Sequence, residues 1–168
     1  MRLMRPIRKP LIAVSALVLG LSVTGCQQIL TEAQARSSHL TSTEAGLIKS
    51  INAYRNARHL GSLRVHPDVE AKARRWAVWM AAGGCGVGGG GVPKICHSRL
   101  SDQITVRWGW LAENVALVGG HNNVRGAQSA FEHSAPHAAT MASTSARYVG
   151  VAVAHWGPYM YVAEEYMG

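Results

Sequence analysis

Apolar positions recur along this chain at a helical period through most of its length and alternate strictly in its last quarter. Leu47, Ile48, Ile51, Tyr54 and Ala57 follow at steps of one, three, three and three, which puts them on one helical face. Thr41-x-x-Glu44 fits a capping box at the start of this helix, with Ser42 and Thr43 as alternative caps. Lys49, Arg55 and Arg58 fall largely on the opposite face, and Gly61 supplies the stop. Leu63-Arg64-Val65 reads as a short extended connector. His66-Pro67-Asp68 then opens a second helix: proline suits the first helical position, and Asp68 and Glu70 favour the positive end of the helix dipole. Val69, Ala73, Trp76 and Met80 form its apolar stripe, with Trp79 off it, and Gly83-Gly84 ends it.

Further on, Val115 to Val118 is an apolar run broken by Gly119-Gly120. Asn122 or Asn123 can cap a helix through about His133, with Val124, Ala127, Ala130 and Phe131 facing inward. Ser134 with Pro136 marks a second, short helix ending near Ala142. From Tyr148 to His155, Val149, Val151 and Val153 alternate with Gly150, Ala152 and Ala154. Trp156-Gly157-Pro158 turns the chain, and Tyr159 to Tyr166 returns as a strand. Helices first and a closing β-hairpin last predict an α+β fold with an antiparallel sheet.

The first 25 residues change the picture of where the chain goes. Arg2, Arg5, Arg8 and Lys9 precede an apolar run from Leu11 to Leu21, too short for a comfortable membrane span. Val23-Thr24-Gly25-Cys26 resembles a bacterial lipobox, which implies cleavage before Cys26 and a lipid on its sulfur. Residues 1–25 then read as a signal peptide, 26–40 as the lipidated cysteine and a polar tether, and 41–168 as the domain. Four of the 17 basic residues and none of the nine acidic ones lie in the leader, so a formal charge of +8 falls to +4. The remaining charges are scattered, which argues for a solvated surface and against nucleic acid as a partner. Two cysteines are left in the mature domain, Cys85 and Cys96, and export to an oxidising compartment predicts that they bridge. Residues 83–92 hold seven glycines, but a helix precedes them and Pro93 follows, so a surface loop pinned by the disulfide is expected and not a phosphate cradle.

Several segments, in order, resemble the CAP superfamily (cysteine-rich secretory proteins, antigen 5 and pathogenesis-related-one), in its bacterial type and as a lipoprotein. Ile51-Asn52-Ala53-Tyr54-Arg55 is similar to the family's opening helix, and Leu63 to Val69 to its lead-in to the second helix. Cys96-His97-Ser98 is similar to the segment carrying the first cavity histidine, and Ala112-Glu113-Asn114-Val115-Ala116 to the "G-E-N" hallmark with alanine for glycine. Phe131-x-x-Ser134-x-Pro136-His137 resembles the bacterial helix junction, with phenylalanine for tryptophan, and Val149-Gly150-Val151-Ala152 the "V-G-V-G" strand. Ser134 stands where many eukaryotic relatives carry a second cavity glutamate. The resemblance covers about residues 43–167 and implies an α-β-α sandwich with a central antiparallel sheet flanked by helices.

It also implies that His97, Glu113 and His137 converge on a cavity. Two imidazoles and a carboxylate can hold a divalent cation, zinc or calcium, or can form a hydrogen-bonded polar cluster. Nothing in the local spacing decides between these. A hydrolase reading, peptidase-like, would use Ser98 or Ser134 with His97 oriented by Glu113; there is no G-x-S-x-G elbow, and Ser134 is accounted for as a cap. Relatives in this superfamily bind sterols or other lipids. A lipid or sterol-like ligand or an envelope partner is therefore expected for a membrane-anchored domain facing the extracytoplasmic side. Trp108, Trp110, Trp156, Tyr159 and Tyr161 are candidates to line an apolar groove.

Overall fold

Both stripe-bearing helices and the terminal hairpin are present in the computed structural model, which describes residues 40–168. The predicted leader, the predicted lipidation residue Cys26 and nearly all of the predicted tether lie outside the described residues. Helix α1 spans Ser42–Asn56, strand β1 Arg64–Val65 and helix α2 Pro67–Ala81. Strand β2 spans Leu111–Gly119, helices α3 and α4 Val124–Glu132 and Ala135–Met141, and strands β3 and β4 Tyr148–Trp156 and Tyr159–Met167.

Local chemistry explains most boundaries. The capping box of α1 is complete: Thr41 accepts from the Glu44 amide, and the Glu44 carboxylate accepts from the Thr41 amide at 2.7 Å. Its stop differs from expectation, because the helix ends at Asn56 and His59, not Gly61, takes the left-handed conformation (φ 57°). Asn123 caps α3 by accepting from the Gly126 amide. Ser134 stands at the N-cap position of α4 but its hydroxyl makes no cap bond. The Cys85–Cys96 disulfide is formed.

The sheet order is β1-β3-β4-β2. The three long strands are antiparallel, and the connector 63–65 supplies a two-residue edge strand that runs parallel to β3, a mixed element where a purely antiparallel sheet was expected. Alternation on the strands builds two cores. Val149, Val151, Met160, Val162 and Tyr166 meet Leu47, Ile51, Phe131 and Met141 of α1, α3 and α4. On the opposite face, Ala152, Ala163 and Tyr161 meet Ala73, Ala77 and Met80 of α2. This is the expected α-β-α sandwich.

Helix α2 lies very close to the sheet. A Cβ at Gly150 would sit 2.3 Å from the backbone of Val69 and Glu70, so only glycine permits this crossing. Three inward or outward expectations are reversed: Ala57 and Ala130 face solvent, and Arg55 is buried. The Arg55 guanidinium donates to the carbonyls of Gly61 (2.8 Å), Met141 (2.7 Å) and Ser143 (2.9 Å), tying α1 to the end of α4. Bonds from a charged donor each contribute about 1.5–3 kcal/mol, and orphaned buried carbonyls are costly. Arg55→Ala is therefore expected to lower unfolding free energy by about 3 kcal/mol, read by urea denaturation; a loss under about 1 kcal/mol would contradict this role.

Candidate functional site

Strands β2 and β4 pair so that Glu113 lies opposite Glu165, on the sheet face that α2 covers. Lys72 comes down from α2 onto this rung. Its side chain is only 4% exposed, and those of Glu113 and Glu165 are 0% and 4% exposed. The Lys72 ammonium is 2.5 Å from Glu165 Oε1, 3.7 Å from Glu113 Oε2, and bonds the Ser98 hydroxyl. Glu113 Oε1 accepts from the Ser98 amide at 2.9 Å and lies 2.8 Å from His97 Nδ1. Trp76 Nε1 on α2 donates to the Cys96 carbonyl at 2.9 Å, so the 96–98 segment is tied to both helix and sheet.

Two carboxyls this close, with one ammonium between them, cannot both be ionised cheaply. Burial, reinforced by the bond to Glu113 and by its charge, pushes Glu165 up to about 9. Burial pushes Glu113 up as well, but bonds from Glu165, from the Ser98 hydroxyl and amide and from His97 outweigh it and hold this carboxyl below its ordinary range. Glu113 Oε2 has no hydrogen-bond donor while Glu165 is ionised. A proton on Glu165 supplies that donor, and the cluster then carries one positive and one negative charge.

His137 lies close enough to this rung to feel the charge of His97 but is held by other contacts. Its ring meets the Phe131 ring edge-on at 5.3 Å, its Nδ1 is buried without a partner, and its backbone carbonyl accepts from Asn114 at 3.3 Å. Burial, then the charge of His97, pull its pKa down. Asn114 and its cross-strand neighbour Glu164 face the other core, where Glu164 also accepts from the Tyr166 hydroxyl at 2.6 Å. Burial holds Glu164 at about 7 against the pull of those two bonds. The structure thus brings His97 and Glu113 into contact, with His137 within electrostatic range of His97.

A divalent cation does not fit this arrangement. Glu113 Oε1 is already engaged by His97 and the Ser98 amide, and a second cation near 4 Å from Lys72 meets repulsion of about 4 kcal/mol per unit charge. Among the described residues no group of three His, Cys, Asp or Glu side chains is placed to hold a metal ion.

The predicted aromatic groove does not form either. Trp108 and Trp110 flank Gly109 beside the chain end, where Trp110 pairs with Gly168, whereas Trp156 and Tyr159 stack at the hairpin turn. The length of β4, roughly 30 Å, separates the two pairs. Tyr161 is buried and donates to the Pro93 carbonyl. An open cleft of about 260 Å³ lies elsewhere, between α2 and residues 98–103. Lys72 and Ser98 close its bottom, Trp76 and Trp79 supply apolar wall, and Arg75, Asp102 and Gln103 stand at its exposed edge.

Lys72 and Glu165 escape a reading by motif, yet both leave a trace. Lys72 follows Val69 by three and precedes Trp76 by four, inside the apolar stripe. Glu164-Glu165 interrupts an otherwise apolar strand.

A three-layer sandwich with a histidine–glutamate contact at the edge of its sheet and a disulfide beside it is the kind of domain anticipated above. The chain belongs to the CAP family, the cysteine-rich secretory protein family, whose model matches residues 48–166. Solved structures share the fold at low identity. An outer surface protein from Borrelia burgdorferi superposes with a TM-score of 0.58 at 14% identity, covering 77% of this chain and 96% of its own. Venom allergen-like protein 4 from Schistosoma mansoni gives 0.58 at 14% identity, covering 76% and 89%. A cysteine-rich secretory protein from Staphylococcus aureus gives 0.53 at 15% identity over 74% of this chain, which spans 38% of that protein. No curated protein sequence matches.

The carboxyl pair predicts a pH dependence. Folded Glu165 keeps its proton up to about pH 9, whereas the ordinary glutamate value is 4.5. Between these limits the folded state binds more protons, so this group's contribution to stability falls as pH rises. Glu164 acts in the same direction up to about 7, and the depressed Glu113 has the opposite sign and acts only in acid. Glu165→Gln, which keeps a donor toward Glu113 and an acceptor toward Lys72, should flatten the decline in melting temperature between pH 7 and 9. An unchanged decline in scanning calorimetry would contradict the protonated state.

Proposed function

We propose that this chain is an exported, membrane-tethered recognition domain that binds a small envelope molecule with an apolar face and does not transform it. The cleft beside α2 carries the reading: it is open, it presents two tryptophans, and its bottom is closed by side chains that are already paired. The secretory family and the lipobox-like Cys26 support export and anchoring, with the lipid on Cys26 as the attachment to the membrane. Among the described residues no helix is long and apolar enough to cross a membrane. The lipid or sterol-like ligand implied by the resemblance is one candidate for the cleft, and an envelope partner of other chemistry is another.

Binding is favoured over hydrolysis by how the polar groups are occupied. A serine nucleophile needs an unprotonated base within reach. Lys72, which touches the Ser98 hydroxyl, is itself held between two carboxyls and is not a free base for that serine.

Native mass spectrometry of the purified full-length protein, before and after exposure to an envelope extract, tests the reading. Wild type should retain a small-molecule adduct that Trp79→Ala loses. Wild type without an adduct, or an equal load on both proteins, would contradict it. The same spectra read bound metal, and a metal increment that vanishes in Glu113→Gln would favour the metal-binding alternative.

A further inference from the structure

The way Trp79 is held narrows the chemistry of that ligand. A Cβ on Gly84 would lie 2.1, 2.3 and 2.4 Å from Cε2, Nε1 and Cδ2 of Trp79. These atoms share the five-membered ring, so one face of the indole rests flat on the Gly84 backbone. The side chain is nevertheless 53% exposed, which leaves the opposite face open. Cys85 follows Gly84, and its disulfide partner Cys96 accepts the Trp76 indole bond. The glycine-rich disulfide loop therefore backs one tryptophan and anchors the other. An exposed aromatic fixed in this way offers a preformed flat surface with little ordering cost on binding.

The rest of the cleft is polar. Five of its seven lining side chains carry charge, hydroxyl or amide groups, and an acyl chain or sterol laid there would strip the exposed Arg75, Asp102 and Gln103 of water without replacing it. Arg75, Asp102 and Gln103 offer planar groups able to donate or accept in pairs. Gln103 is held in the left-handed backbone region (φ 66°), a conformation uncommon for a residue with a side chain.

We propose that the cleft binds a hexopyranose unit of a glycan, the C–H face of the sugar ring stacked on the open face of Trp79 and its hydroxyls met by Arg75, Asp102 and Gln103. This rests on the recognition reading above and specifies its ligand class. A pyranose pairs an apolar face with a polar perimeter, and an indole whose open face carries negative quadrupole beside polar side chains is its complement.

Tryptophan emission of the full-length protein, titrated with the N-acetylglucosamine trisaccharide, with maltotriose and with sodium laurate, tests it. At least one trisaccharide should shift the emission saturably, and calorimetry should show binding about tenfold weaker in Trp79→Ala. Gly84→Ala, which displaces the ring while leaving it present, should weaken it similarly with an unchanged melting profile. No response to either trisaccharide, or equal affinity in all three proteins, would overturn the glycan assignment. A saturable response to laurate alone, lost in Trp79→Ala, would overturn it while leaving the cleft as the binding site.

Discussion

The Lys72 ammonium under α2 is the contact on which the rest of this domain turns. It donates to the Ser98 hydroxyl and to Glu165, and the Glu113 carboxylate lies 3.7 Å away as its counter-charge. Removing a lysine from water costs several kcal/mol, offset only when every donor is met and charge is balanced. The proton on Glu165 provides that balance. The same contacts join three parts of the chain distant in sequence: the helix through Lys72, the sheet through Glu113 and Glu165, and the 96–98 segment through Ser98. Gly150, which lets α2 lie against β3, stands opposite Glu165 on the same rung.

The polar cluster meets the open cleft at Lys72 and Ser98. Most of the cluster's bonds are internal, and the Lys72 charge opposes an added cation beside it. The open cleft lies beside the cluster, walled by Arg75, Trp76 and Trp79 of α2. Both regions depend on residues 83–98. Its glycine at 84 admits the Trp79 ring, its disulfide joins the loop ends, and its last residues reach the carboxyl rung.

Much of the fold was legible because amphipathic period and turn chemistry are local. The capping box at Thr41 and Glu44, the stripe from Val69 to Met80 and the Gly157-Pro158 turn all needed only near neighbours. The His97–Glu113 contact was reachable through family resemblance, since sixteen positions separate the two residues and no local geometry joins them. What escaped were polar residues in apolar company. Arg55 lies beside one apolar stripe and Lys72 within the other, where a charged residue gives no local sign of burial. The partners that make their burial tolerable come from other elements, so only tertiary structure reveals them. The aromatic groove failed for a related reason: composition collects tryptophans and tyrosines that the length of a strand keeps apart.

Carbon-detected NMR of the glutamate side-chain carboxyls at pH 7 addresses the central claim most directly. The account predicts a protonated-carboxyl Cδ shift for Glu165, an ionised shift for Glu113, and a Lys72 ammonium signal that exchanges slowly with water. Ionised shifts at both glutamates, with rapid ammonium exchange, would contradict it.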